Sequence, residues 1–187
     1  MNQRSAERTI GILFILAFPF FAGGQYLLSQ SRMLPGFGLI LLNSASVLFI
    51  GILMNGILRQ ASTAVAKTYL SVRVLEAVLL AVGGGYFAFI GGEIAGLVNL
   101  SAYRIAMVGL SAGSLVMFIW LLGNRWIPRP LSLMGVLGYL CLALAMILDA
   151  LGLEAYSMGP LLIGAVFELV FALWMIFRGF RPPVGAV

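Results

Sequence analysis

The stretch LSLMGVLGYLCLALAMILDAL, residues 131–151, contains a single charged side chain, Asp149. About 20 apolar residues in a helix cross a bilayer core, and an unbroken apolar run is unlike the alternating strands of an outer-membrane barrel. Similar runs fill most of the remaining chain. We therefore predict an all-α, polytopic membrane protein with six transmembrane helices. The predicted spans are Thr9–Leu28, Gly36–Leu58, Leu70–Ile90, Ile105–Leu122, Leu131–Leu151 and Ser157–Phe177.

The composition agrees with this prediction, since 62% of the 187 residues are hydrophobic and only 9% are charged. Six spans leave no room for a soluble domain, so residues 1–187 are predicted to form a single transmembrane domain. The two longer connections, Arg59–Tyr69 and Gly91–Arg104, are apolar enough to be expected as partial helices along the membrane interface.

The basic residues are distributed unequally between the two sides of the predicted bundle. Arg32 and Arg104 fall on one side, and the other nine Lys and Arg residues fall on the side of the amino terminus. Cytoplasmic loops carry an excess of Lys and Arg. We therefore expect both termini in the cytoplasm, in a bacterial or archaeal inner membrane. The nine residues are Arg4, Arg8, Arg59, Lys67, Arg73, Arg125, Arg129, Arg178 and Arg181.

Several chemistries lack their residues in this chain, which has no histidine and one cysteine, Cys141. Their absence excludes His-ligated haem, zinc sites, Ser-His and Cys-His nucleophile pairs and an internal disulfide. The GxSxG string Gly109–Gly113 lies inside an apolar span and is explained better by helix packing than by a hydrolase elbow. We expect no catalytic residue, no metal site and no cofactor, although a pigment or haem held by other groups stays an alternative.

The two halves of the chain resemble each other at an offset of 92 to 94 residues. Residues 26–35 align with 120–128, and residues 74–78 align with 166–170, which pairs Glu76 with Glu168. Halves 1–91 and 104–187 contain three spans each, so they would form an inverted repeat. The alternative is a chance alignment of two segments rich in Leu, Val and Ala.

Glu168 is the deepest charged residue, about ten residues or roughly 15 Å of helix rise from the end of its span. A charge at this depth is costly, so we predict that Glu168 points into the bundle, towards a polar group of another helix. The candidate partners are Arg73, Asn43, Ser111 and Ser114. Without a partner, Glu168 is expected to be protonated near neutral pH, as in a proton-coupled carrier. The alternative is a neutral Glu168 that stabilises helix packing through hydrogen bonds to another helix.

Two further pairs of polar residues complete the candidate ligand or ion path. Arg73 and Glu76 are three residues apart on one helix face and are predicted to pair, with Arg73 snorkelling to the membrane edge. Asn55 and Asp149 match in the repeat and are expected near opposite membrane faces.

Three stretches resemble an uncharacterised bacterial and archaeal family, DUF4386. They are residues 69–77, residues 126–131, and Phe167-Glu168-Leu169 with the Arg178-Gly179-Phe180 ending. The resemblance implies a six-helix membrane protein without a known activity, and it adds weight to Arg73, Glu76 and Glu168. The chain is short for that family around Gly91–Arg104.

Two functional hypotheses follow. The first is binding or transport of a small or amphipathic molecule in a cavity between the halves, where Glu76, Glu168 and Arg73 lie. The second is a non-catalytic accessory subunit of a larger membrane complex, favoured by glycine-rich faces such as Gly109 and Gly113. The expected partners are membrane lipids, a small or lipid-like ligand, and a homo-oligomer or larger complex, with no nucleic acid.

Overall fold

The computed structural model describes residues 2–181, which form six helices and no strand. All six are long and apolar enough to cross a membrane, so the chain is an integral membrane protein. The fold prediction is confirmed. The helices are α1 Gln3–Ser29, α2 Met33–Leu58, α3 Thr63–Ile90, α4 Gly92–Asn124, α5 Arg129–Ala150 and α6 Glu154–Phe177.

The helices form a closed ring in which each packs against its neighbours in sequence and α1 packs against α6. The short connections make consecutive helices antiparallel. The start of α1 and the end of α6 therefore lie at the same end of the bundle, which we call the terminal end. The inverted repeat stays a prediction.

The two connections Arg59–Tyr69 and Gly91–Arg104 are largely helical, as predicted, but they are not separate interfacial helices. Residues from Thr63 onward belong to α3, and residues from Gly92 onward belong to α4. Polar side chains such as Asn99 lower the mean hydropathy of this part of α4 below that of a membrane span, but a continuous helix satisfies its backbone hydrogen bonds. Gly91 and Gly92 have φ of +67° and +80°, so the turn between α3 and α4 is short.

Glycine lies at every seam of the ring. A Cβ placed on one glycine in each seam would come within 3.0 Å of an atom of the neighbouring helix. Small residues allow the close helix contact that membrane bundles rely on. The glycines are Gly24 between α1 and α2, Gly51 between α2 and α3, Gly113 between α3 and α4, Gly135 between α4 and α5, Gly138 between α5 and α6, and Gly11 between α1 and α6.

No loop connects α1 and α6. At the terminal end the two helices are joined by hydrogen bonds and an ion pair of Arg4 and Glu7, which we call the clasp. The Arg4 guanidinium donates to the backbone oxygens of Met175 and Ile176, at 3.0 and 2.7 Å. Buried Glu7 pairs with Arg4 and accepts from the backbone N–H of Phe180 at 3.1 Å. Because the last carbonyls of a helix lack partners within it, Arg4 completes the end of α6.

The glycine triplet Gly83–Gly85 lies within the unbroken helix α3. Gly83 lies against Ala102 of α4, and Gly84 lies against Ile40 of α2. The triplet therefore serves close packing on two sides. Helix α1 likewise continues through Pro19.

We predict that Gly113→Ala lowers the free energy of unfolding by about 1–3 kcal/mol and, with it, the thermal unfolding temperature by several degrees. The new methyl group would meet the side chain of Val72 on α3, where a Cβ lies 2.5 Å from Cγ2. Gly123→Ala is the matched control on the same helix, because no atom lies within 4 Å of its added Cβ. It gains some helix propensity without the clash, less than at mid-helix because Gly123 lies next to the last residue of α4, and it should be neutral or slightly stabilising. Equal unfolding temperatures for the two variants would contradict the packing assignment.

Candidate functional site

A cavity of about 320 Å³ lies inside the ring, midway along the helices. Its walls are mostly apolar and come from all six helices. Four of its side chains are aromatic, namely Phe14, Phe18, Phe21 and Tyr103. Its polar lining residues are Asn43, Arg73, Glu76, Glu168 and the hydroxyl of Tyr103.

Two contacts join α1 and α4, which lie opposite each other in the ring, on the side of the cavity away from the terminal end. The rings of Phe21 and Tyr103 stack with centroids 4.9 Å apart. Beyond them, the Asn99 amide donates to the Gln25 side-chain oxygen at 3.0 Å. These two contacts connect α1 to α4 between the cavity and the end of the bundle opposite the terminal end.

Arg73 lies at the polar side of the cavity and is 2% exposed. Its Nη1 donates to Glu76 Oε2 at 2.8 Å, and its Nε donates to the Tyr69 hydroxyl at 2.9 Å. The guanidinium carbon lies 5.0 Å from the ring centroid of Phe14. Hydrogen bonds, an opposite charge and an aromatic face together stabilise the cation away from water.

The predicted pairing of Arg73 with Glu76 is confirmed, but the predicted snorkelling of Arg73 to the membrane edge is wrong. The side chain turns inward because Gly51 of α2 leaves space beside its stem. A Cβ on Gly51 would lie 2.6 Å from Arg73 Cβ. The buried partners also remove the need to reach water.

One edge of the buried guanidinium lacks a partner in the part of the chain that the structure describes. Arg73 Nη2 makes no hydrogen bond with any described residue. An unpaired buried donor is costly, and a charged one more so.

Glu168 lies on α6 and lines the same cavity. Its Oε1 accepts a hydrogen bond of 3.0 Å from the hydroxyl of Tyr139 on α5. The prediction that Glu168 points into the bundle, towards a polar group of another helix, is confirmed. The partner is Tyr139, which is not one of the four candidates named from the sequence.

The chain has six acidic residues, all within the described part, and Glu168 differs from the other five. Glu7, Glu76 and Asp149 each form an ion pair with an arginine. Glu93 and Glu154 are exposed in the first turns of α4 and α6. Only Glu168 lies within the membrane-spanning part of the bundle with no Lys or Arg of the described chain in ion-pair contact. Glu168 is therefore the membrane-embedded carboxyl that lacks an ion-pair partner among residues 2–181.

The structure brings four of the eight predicted site residues to the cavity and places the other four elsewhere. Asn43, Arg73, Glu76 and Glu168 line it. Ser111 donates to the backbone oxygen of Met107 within α4, at 2.8 Å, and Ser114 is fully buried one turn further along.

Asn55 and Asp149 also lie outside the lining, near opposite ends of the bundle as predicted. Asp149 accepts from Arg104 Nε at 2.7 Å, in a pair whose side chains are 23% and 19% exposed. This pair joins α4 to α5 and was missed, because Arg104 was counted only as a topology signal.

The sequence analysis does not name two tyrosines whose hydroxyls bond to charged side chains of the site. Tyr69 and Tyr139 are buried within apolar helices, and each hydroxyl meets a charged side chain. A tyrosine in mid-span is a usable signal, because its buried hydroxyl needs a partner. The spacing of Tyr69 four residues before Arg73 places both on one helix face.

The lining combines two carboxyls, a guanidinium and an amide with aromatic walls, so it offers both polar and apolar contacts to a molecule in the cavity. Among residues 2–181, no three His, Cys, Asp or Glu side chains group together in a way that would hold a metal ion.

No known protein family, curated protein or solved structure matches this chain. The resemblance to DUF4386 therefore stays a prediction.

We predict that Glu76→Gln destabilises the protein by about 3–5 kcal/mol, because it leaves the buried Arg73 cation without its counter-charge. The double variant Arg73→Met with Glu76→Gln should recover much of that loss, since no buried charge remains at this pair. Chemical or thermal unfolding in a fixed detergent measures both. Asp149→Asn is the control, because its pair with Arg104 is partly exposed and is expected to contribute about 1 kcal/mol or less. Additive losses in the double variant would show that the two side chains do not act as a pair.

Proposed function

We propose that the protein binds a small amphipathic molecule in the central cavity and carries it across, or releases it within, the membrane. The observation that supports this most is the carboxyl of Glu168. It faces a mid-membrane cavity with a tyrosine hydroxyl as its hydrogen-bond partner. Ionisable groups at such a depth mark substrate or proton pathways more often than packing sites.

The shape and lining of the cavity favour the same proposal. Ligand sites are concave, mostly apolar and furnished with a few polar groups that orient the ligand. Here the apolar walls come from every helix, and the polar groups Arg73, Glu76, Glu168 and Asn43 gather among them. An amphipathic molecule has a polar part and an apolar part, and the cavity lining offers contacts of both kinds.

The second hypothesis, an accessory subunit, predicts a Glu168 whose contacts are supplied by a partner protein. In this chain Tyr139 supplies one. The accessory role is therefore the less favoured proposal and serves as the opposite outcome of the tests below.

The remaining parts of the proposal concern placement. We propose a bacterial or archaeal inner membrane with the terminal end in the cytoplasm, because eight of the 11 basic residues belong to that end once the buried Arg73 is left out of the count. We also propose that the halves 1–91 and 104–187 form an inverted repeat around the cavity, and that the resemblance to DUF4386 reflects membership of that family.

Filling the cavity should abolish binding. We predict that Ala165→Trp, which places a large ring on the lining, removes the rise in unfolding temperature that a 12-carbon amphipath gives to the wild type in lipid nanodiscs. The panel contains dodecylamine, dodecanol and laurate, which share a tail and differ in head-group charge. Ala155→Trp, at an exposed position near the start of α6, is the matched control and should respond as the wild type does. A wild type that responds to none of the three, or an equal response in Ala165→Trp, would favour the accessory subunit.

We further predict that Glu168→Gln removes the pH dependence of that binding while the protein still folds. Glutamine keeps the shape and one acceptor oxygen but does not titrate. Glu154→Gln, at an exposed position of the same helix, should leave the pH dependence unchanged. The measurement is the ligand-induced shift in unfolding temperature between pH 5 and 9. Identical pH profiles for wild type and Glu168→Gln would remove Glu168 from the mechanism. A Glu168→Gln protein that is more stable and fully functional would favour a scaffold.

A further inference from the structure

We propose that the ligand of the central cavity is a lipophilic organic monocation, for which Glu168 is the counter-ion and with which a proton competes. This inference rests on the proposed binding function and names its substrate class.

The charges that line the cavity do not balance. The described lining contains one cation, Arg73, and two carboxyl groups, Glu76 and Glu168. Glu76 balances the single positive charge of Arg73 in an ion pair of 2.8 Å. With both carboxyls ionised, the three side chains carry a net charge of −1, located at Glu168. A low-dielectric site favours neutrality, and either one proton or one monovalent cation supplies it.

The groups that surround Glu168 do not offer another source of neutrality. The titratable groups that face it or line the same cavity are Arg73 and Glu76 of α3, Tyr103 of α4 and Tyr139 of α5. Tyr69 of α3 is outside the lining, and its hydroxyl accepts a hydrogen bond from Arg73 Nε. The lining residues of α1 and α2 are not titratable. The tyrosines are neutral, and Arg73 is already paired. Exchange at Glu168 is therefore between a proton and the ligand.

The composition of the cavity walls favours an organic cation over a metal ion. A bare metal ion takes six or more oxygen ligands if it is hard, and the described lining offers few oxygens. Aromatic faces, in contrast, attract large and weakly hydrated cations. Four aromatic side chains line this cavity: Phe14, Phe18, Phe21 and Tyr103. They form an apolar, aromatic enclosure beside a carboxylate.

The position of the cavity favours a lipophilic molecule. Near the terminal end, α1 and α6 are in close contact, with Gly11 against Ala172 and Phe14 against Phe171. Further along the same two helices, Phe18 and Ala22 of α1 and Leu161 of α6 border the cavity instead. Ala22 is exposed, and the other two are partly exposed. Since no loop connects these helices, this part of the seam faces the bilayer and is the natural place for a membrane-dissolved ligand to enter.

An anionic ligand is the competing class, because Arg73 Nη2 is a buried donor without a partner in the described chain. An anion there would lie beside two carboxyls and raise the net charge to −2. The charge count therefore favours the cation.

The test compares three aromatic probes of similar size: tetraphenylphosphonium, tetraphenylborate and neutral triphenylphosphine oxide. Their binding to the purified full-length protein in nanodiscs of neutral lipid is measured by equilibrium dialysis between pH 5 and 9. We expect the phosphonium to bind at least tenfold more tightly than the neutral probe and the borate to bind least. Phosphonium affinity should rise with pH, because the loss of the Glu168 proton creates the negative charge. Phosphonium binding by Glu168→Gln should be weaker by about tenfold and independent of pH. Glu154→Gln should bind as the wild type does.

The possible failures separate the two proposals. If all three probes bind equally and Ala165→Trp abolishes binding, the cavity binds ligands and the assignment of a cation is overturned. Preferential binding of the borate, lost in Arg73→Met, overturns it in favour of an anion. If none of the three binds and the 12-carbon panel is also inactive, the binding function fails together with this inference. Because the comparison of the probes uses the wild type, it holds even if Glu168→Gln does not fold.

Discussion

The burial of the Arg73 guanidinium is the constraint around which the middle of the bundle is organised. A cation among apolar helices requires a counter-charge, hydrogen-bond acceptors and room for its stem. Glu76 provides the counter-charge, Tyr69 provides an acceptor, Phe14 provides an aromatic face and Gly51 provides the room. Because these residues belong to α1, α2 and α3, the position of one side chain determines how three helices meet and where the polar side of the cavity lies.

The ring around this centre depends on close contacts, because lipid removes the hydrophobic advantage of burying one apolar helix against another. A glycine in each seam brings the helices together, and five of the six seams also have a short loop. The seam between α1 and α6 has none, so Arg4 and Glu7 clasp the end of α6 instead. The clasp acts only at the terminal end, which leaves the other half of this seam as a border of the cavity.

The sequence predicts the six helices, because each apolar run is an unbroken local signal, and it predicts the Arg73–Glu76 pair, because three residues on a helix bring the side chains together. It fails where the partner comes from another helix. Nothing in the local pattern of Glu168 indicates Tyr139, and nothing near Asp149 indicates Arg104, which lies 45 residues away. Hydropathy also misplaces the start of α4, because polar residues that pack inside the bundle resemble those of a loop.

The contrast among the membrane-embedded acids indicates why Glu168 is the residue to examine. An arginine neutralises Glu76 permanently, because guanidinium does not lose its proton in proteins. The tyrosine hydroxyl beside Glu168 has a different effect, since it orients the carboxyl by a hydrogen bond but contributes no charge. A site built only for packing would be expected to replace this acid with an apolar or amide side chain, which removes the desolvation penalty. An oriented acid without a permanent counter-charge is suited to a partner that arrives and leaves, and its neutrality then depends on whether a proton or a ligand is present.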